Sequence, residues 1–462
     1  MARPVSAEKA QKMLNGKIST LLVEMAVPTI MAQLITTIYN LVDTFFVSTL
    51  GTYATAAVGV NSSLERTITL IGSLLGAGAC SYIARLLGAG KKEQADRVLT
   101  TSFITGLGLG VVFMIVGCLA IEPLVYMLGA TEECVNYSIE YATYVLYAAP
   151  VMIGSFILNM CLRSEGSATF ALVGIGFGGV LNCFLDPLFI YTFNLGVAGA
   201  SMATAISKFI SFCILLWPYF RKKSAVAISI KRFKYVWEDI KEVLSIGSAS
   251  FFRSAFSVVA SITINRVAGG FSTAALAALS VANRVMEFPF AIILGFGQGF
   301  QPVAGFNWGA KQMKRVRECL KFAIKVSVFG AILVGAVIAV FASPIVHVFN
   351  KQADQAVLEI GILCIRLQCV VLFSHALNSI TNMFYGGIGK AKYTLLLSTS
   401  RQGYVFIPVA LILPLIFGET GVAAVQAVAD LVCLFIAVPL TIKAFRMIDN
   451  REKEIALEEN QV

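Results

Sequence analysis

Apolar stretches of about twenty residues, each long enough to cross a hydrocarbon core of ~30 Å, recur along nearly the whole chain between short polar or basic connections. Their hydropathy predicts spans near 18-46, 54-84, 98-120, 135-160, 168-190, 197-219, 241-268, 274-304, 319-342, 358-383, 393-416 and 421-444. The cuts fall at turn or charge signals: LGTY from Leu50, LGAGKK from Leu87, GATEE from Gly129, RKKSAVAISIKRFK over 221-234, and NWGAKQMKRVR from Asn307. The pattern predicts an all-α integral membrane protein of twelve helices with no room for a large soluble domain.

Basic residues orient these spans, because cytoplasmic loops are enriched in Lys and Arg. Alternate connections on the side of the N-terminus hold 27 of the 36 Lys and Arg; the opposite loops hold Arg266 and Lys351. Both termini are therefore expected in the cytoplasm, with tails at 1-17 and 447-462, helical lobes at 18-220 and 241-446, and a basic linker at 221-240. Residues 1-17 carry Arg3, Lys9, Lys12 and Lys17 without a short apolar core ending in a small-residue site, so a retained tail is expected, not a cleaved signal.

An internal repeat supports the two lobes. At an offset of 219, GTYATAAVGV (51-60) falls on GFSTAALAAL (270-279), Gly76 and Gly78 fall on Gly295 and Gly297, and LLGAGKK (86-92) falls on GFNWGAK (305-311). GVAGAS (196-201) matches GVAAVQ (421-426) at an offset of 225. An even number of spans per half makes the repeat parallel, an architecture of transporters that handle substrate between their halves.

Composition agrees: 57% of residues are hydrophobic and 13% charged, against roughly a quarter charged in soluble domains, and mean hydropathy is +0.80. The net charge of +10 sits at the membrane rim and does not point to nucleic acid. Ten scattered Cys without a CxxC, and only His347 and His375, support neither a zinc site nor a disulfide framework. No Walker motif appears, and glycine patterns such as GFGGV (176-180) and GFGQG (295-299) read as helix-packing surfaces. Nothing supplies the nucleophile and base, or the HExxH, of an intramembrane enzyme.

Two aspartates carry the chemistry. Thr36, Asn40, Asp43 and Thr44 recur at spacings of three and four, which puts them on one helix face. An ionisable group at membrane depth costs at least ~2.5 kcal/mol on insertion scales, so that face should line a cavity. Asp186 follows Asn182 by one turn and precedes Pro187, which removes the hydrogen bond to the Cys183 carbonyl and opens the helix. Two carboxylates, an amide oxygen and a freed carbonyl are hard oxygen ligands for a small cation or a proton; Thr204 could add a hydroxyl.

Taken together, AVPTI (26-30), NLVDTFFVS (40-48), AAVGV (56-60), ARLLGAGK (84-91), LNCFLDPLFIY (181-191), LGVAGASMATAIS (195-207) and QPVAGFNWGA (301-310) resemble, in order, the multidrug and toxic compound extrusion (MATE) antiporters. The resemblance covers essentially the whole chain. It implies two six-helix bundles in a V, exporting small-molecule drugs or toxins that are amphipathic and cationic in exchange for inward H⁺ or Na⁺, from a bacterial inner membrane, as a monomer among lipids and without a cofactor. It also implies a cation or Na⁺ site at Asp43, Asn182, Asp186 and Thr204, with Tyr141 as the matching helix-four tyrosine, although Tyr144 and Tyr147 neighbour it.

The second lobe does not copy this chemistry. At offset 219 Asp43 falls on Ile262 and Asp186 on Val405, and neither FFRSAFSVVASITIN nor SHALNSITNMFYGG holds the acidic residue found there in some members of the family. Instead it offers Arg253, Asn265, Arg284 with Glu287, Arg366, His375, Asn378 and Arg401. Arg284 and Glu287 are expected to pair locally. Arg253, Asn265 and Arg401, with Thr36 and Asn40, are candidate cavity residues; Arg253 and Arg401 could instead pair with Glu287 or Asp430 or reach lipid phosphate. A cationic cavity would favour a flippase for a lipid-linked precursor, whereas the Asp43, Asn182 and Asp186 set favours the drug antiporter.

Overall fold

A computed structural model describes residues 4–349 and 354–460; Arg3 and Lys351 lie outside the described residues. The first half of the chain forms α1 (Pro4–Asn15), α2 (Ile18–Ser48), α3 (Thr52–Gly88), α4 (Lys92–Leu119), α5 (Ile121–Met127), α6 (Val135–Ser164), α7 (Ala168–Pro187) and α8 (Gly196–Phe220). The second forms α9 (Trp237–Phe271), α10 (Thr273–Gly309), α11 (Met313–Val340), α12 (Ala342–Phe349), α13 (Gln355–Val370), α14 (Leu372–Gly387), α15 (Ala391–Thr399) and α16 (Phe406–Asn460). Among the described residues there is no strand.

Among the described residues ten helical stretches are long and apolar enough to cross a membrane, and α13 with α14, bent by 49°, makes an eleventh. The last stretch, Ala391–Glu459, is 69 residues long, about three times what a bilayer needs. It turns back on itself at Gly418, where φ is +59°. A Cβ on Gly421 would meet Leu413 and Pro414, neighbours that a continuous helix holds about 12 Å away. The chain is a multi-pass membrane protein.

Two apolar clusters follow the repeat, one from Val47 to Val243 and one from Ala260 to Cys433; a third joins α1 and α2 to α10, α11, α14 and α16. The halves meet along α3 on α9 and α2 on α10, two crossings which the repeat relates to each other, and along α3 on α10. At the first, a Cβ on Gly78 would run into the Val243 carbonyl and one on Gly247 into the Leu74 carbonyl, so backbones touch there. At the second, Thr29 Oγ1 donates to the Gly295 carbonyl at 2.6 Å. Around the first crossing Arg85 pairs with Glu242 at 2.7 Å, and Asp239 accepts from Arg97, Gln94 and Tyr82. The seam is thus closed at the end that carries the basic connections.

The segments expected as tails and linker are built into this end. Met13 is buried, and Arg315 donates to the Gly16 carbonyl at 2.7 Å. At the other terminus Asp449 pairs with Arg317 and Glu458 with Lys311. The linker is held by Glu165, which accepts from Ser224 Oγ and the Ala225 and Val226 amides at 2.6, 2.5 and 3.2 Å. It is held again by Asp96, which accepts from the Ala227 amide and from Arg232.

Among the described residues two π-turns interrupt the helices, one in each half. One, Leu188–Thr192, follows Pro187 directly; the other, Ser400–Tyr404, joins α15 to α16. Proline gives a cause for the first, since its ring nitrogen has no proton for the preceding turn. In the second, Gly403 takes a non-helical conformation.

Candidate functional site

Between the halves, on the side of the seam away from the basic connections, lies a cavity of about 920 Å³. Thr36, Asn40 and Asp43 line it from α2, as their spacing predicts, together with Thr44 and Tyr39. Asp186 is completely buried behind this wall in the last turn of α7, and Asn182 one turn earlier is 3% exposed. Asn182 Nδ2 donates to Asp186 Oδ1 at 3.0 Å and to Thr204 Oγ1 of α8 at 3.3 Å. The carboxyl groups of Asp43 and Asp186 lie within hydrogen-bonding reach of each other.

Asp43 Oδ1, Asn182 Oδ1 and Asp186 Oδ2 are buried and have no donor. Buried polar atoms are nearly always satisfied, and each of these can only accept. The arrangement therefore suits a shared proton or a small hard cation, and its oxygen-only donor set fits Na⁺ better than a thiophilic metal.

Tyr141 joins the cluster through a residue absent from the sequence reading: its hydroxyl donates to Glu65 Oε1 at 3.3 Å. Glu65 and Arg66 line the cavity from α3, and Lys208 does so from α8. Lys208 Nζ donates to Tyr39 Oη at 2.8 Å and lies 4.9 Å from that ring's centroid; it faces Glu65 and Asp43. The signal for both was the one used for Asp43, an ionisable side chain inside an apolar span. Lys208 also follows Thr204 by four residues, which puts it on the same helix face.

The opposite wall, from the second half, is basic. Arg253, Arg284 and Arg401 line it with His375, Asn378 and Glu287. Arg401 is committed: its Nε and Nη2 donate to the buried Asp430 carboxylate at 2.6 and 3.2 Å, and its guanidinium lies 4.4 Å from the Phe290 centroid. His375 packs edge-on against Phe290 at 4.9 Å. The expected local pair of Arg284 and Glu287 does not form within 4 Å, because both side chains are exposed to the cavity. Asn265 is exposed outside the cavity lining, and Arg366 is exposed and reaches only the Ala339 carbonyl.

The repeat explains the polarity of the two walls. At offset 219 Glu65 falls on Arg284 and Asn182 on Arg401. Where α7 and α8 are joined by the Asn182–Thr204 contact, the π-turn after α15 is joined to α16 by the Arg401–Asp430 pair. The second lobe thus carries a fixed guanidinium at the position corresponding to the cation cluster of the first.

The comparisons follow the same two-lobed plan. The chain is 27% identical over 420 residues to the multidrug export protein MepA of Staphylococcus saprophyticus, covering 89% of this chain and 91% of that one. It superposes with a TM-score of 0.90 and 28% identity on a crystal structure of MATE in complex with MaL6, covering 96% and 99% of the two chains. With a TM-score of 0.89 and 29% identity, covering 95% and 98%, it also resembles the outward-facing conformation of a multidrug resistance MATE family transporter. The MatE family model matches residues 28–188 and again residues 249–412, one copy in each half. On that double match across both lobes, the chain belongs to the MatE family.

Proposed function

We propose that the protein is a secondary active exporter of amphipathic organic compounds, cationic ones among them, driven by inward movement of H⁺ or Na⁺ through Asp43, Asn182, Asp186, Thr204 and Tyr141. It is a transporter and not an enzyme. The observation that carries this reading is the group of three donorless buried oxygens on Asp43, Asn182 and Asp186, set against the wall of a cavity with the size of a drug pocket. A relative named a multidrug export protein supports the choice of cargo.

With the seam closed at the basic end, the cavity faces the outer side, and Asp43 offers a negative charge to a cationic group. A proton or Na⁺ taken up between Asp43 and Asp186 removes that charge and weakens the hold on the compound, which leaves outward. Pro28 in α2 and the π-turn after Pro187 are places where these helices bend with least loss of hydrogen bonding. Opening of the α3–α9 and α2–α10 crossings then carries the loaded cluster to face inward, giving alternating access. A ligand moves such an equilibrium only by binding the two states differently, and the protonation state of Asp43 supplies that difference.

The flippase alternative drew on a cationic cavity formed by Arg253 and Arg401. Asp430 neutralises Arg401, and the relatives are multidrug exporters, so that alternative is not supported. Purified protein in liposomes, loaded with a fluorescent cationic dye and given either a proton or a sodium gradient alone, tests the proposal. Dye movement is expected with at least one of the two gradients; movement with neither contradicts it.

A further inference from the structure

Most of the charges around the cavity have an opposite charge near them. Lys208 faces Glu65 and Asp43, Arg284 and Arg66 flank Glu287, and Arg401 is held by Asp430. Arg253 lines the cavity sixteen residues into α9, yet among the described residues it has no ion pair or hydrogen bond. An unpaired guanidinium at membrane depth is costly unless it faces water or a ligand.

Ser257, one turn on, shares this helix face, and the wall beside it adds Ser398 and Gln402. These are hydrogen-bond donors around a fork-shaped cation, the combination that recognises a carboxylate. Across the cavity stand Asp43 and Glu65. Lys208 and Arg66 offset these carboxylates, so the first wall is close to neutral and the second is the more basic, in line with the exchange of Glu65 for Arg284 between the repeats.

We propose that Arg253 is an anion subsite that receives a carboxylate of the transported compound, so that the cargo includes amphoteric molecules, with an amine toward Asp43 and Glu65 and a carboxylate toward Arg253. This rests on the reading of the cavity as the cargo site of an exporter.

Two dyes differing only at a carboxylate test it: rhodamine 110, which carries the free acid, and rhodamine 123, its methyl ester. Their binding to the purified full chain is followed by fluorescence anisotropy, and their transport in the same liposomes. Arg253→Gln is expected to weaken rhodamine 110 by about tenfold or more, the value of a charge-assisted hydrogen bond, and to leave rhodamine 123 within about twofold. Arg253→Lys, which keeps the charge and loses the fork, should fall between and provides the reading if Arg253→Gln does not fold. The proposal is overturned if the wild type binds no rhodamine 110, or if the substitutions affect both dyes alike or neither. A wild type that moves rhodamine 123 and not rhodamine 110 refutes the subsite and leaves the exporter reading intact; one that moves neither refutes both.

Discussion

Replacing Asp430 by Ala and replacing Asp43 by Ala remove the same chemical group from two parts of one membrane protein, and the structure assigns them opposite consequences. Asp430 is 2% exposed and accepts from Arg401 at 2.6 and 3.2 Å and from Gln426 at 3.2 Å. Its loss leaves a guanidinium without a counter-ion, and breaking a buried pair from one side costs about 3–5 kcal/mol. Arg401 borders the cavity, where water solvates part of its guanidinium, and its contact with Phe290 is common to both proteins and drops out of the difference. The destabilisation therefore falls at the low end of that range, about 3 kcal/mol. Asp43 has no donor to lose at its buried oxygen, so Asp43→Ala should change stability by less than about 1 kcal/mol. Thermal unfolding of the two variants in detergent, alongside the double variant Arg401→Met/Asp430→Leu, makes the measurement. The expected order is a clear loss for Asp430→Ala, a smaller one for the double variant, and little for Asp43→Ala. Equal losses for the two Asp variants, or a double variant worse than Asp430→Ala, would refute the reasoning.

Other substitutions probe other parts. Glu65→Gln keeps an acceptor for Tyr141 but removes the charge facing Lys208; transport in membrane vesicles should fall about tenfold or more, and wild-type rates would exclude Glu65 from the site. Gly247→Val drives a side chain into the Leu74 carbonyl, so the seam should part and a cysteine at Ser81 should become more reactive toward water-soluble thiol reagents; unchanged reactivity would show that the crossing tolerates the added bulk. Glu165→Ala strips the acceptor from Ser224, Ala225 and Val226. At about 1–3 kcal/mol for each stranded donor, the linker should loosen and limited proteolysis across 221–236 should accelerate; an unaltered cleavage rate contradicts the anchoring role.

Fold was more legible in the sequence than site. The apolar runs and the 219-residue repeat locate the helices because lipid imposes length and polarity on every span. Hydropathy gave no angle for the bend between α13 and α14, and the docking of α1 and of the linker depends on contacts made far along the chain, such as Lys9 with Ser167 and Glu165 with Val226. Asp43 and Asp186 were readable as ionisable groups within apolar spans. Glu65 and Lys208 carried the same signal, and only the fold shows that α3 and α8 turn them to the same cavity. The partner of Arg401 was one of two candidates in sequence, and α16 turning back at Gly418 is what carries Asp430 back to it. Asn265, named only as a polar residue within a span, does not line the cavity, because polarity in a span does not say what its helix face meets.

The central claim is that cation exchange at the Asp43–Asp186 cluster powers export, and the most direct measurement of it is gradient-driven dye transport by Asp43→Asn in liposomes. The substitution preserves size and one acceptor oxygen while removing the charge that a proton or Na⁺ would neutralise. The account predicts a monodisperse, correctly inserted protein whose transport no longer responds to the imposed gradient. Transport by Asp43→Asn at the wild-type rate under the same gradient would contradict it.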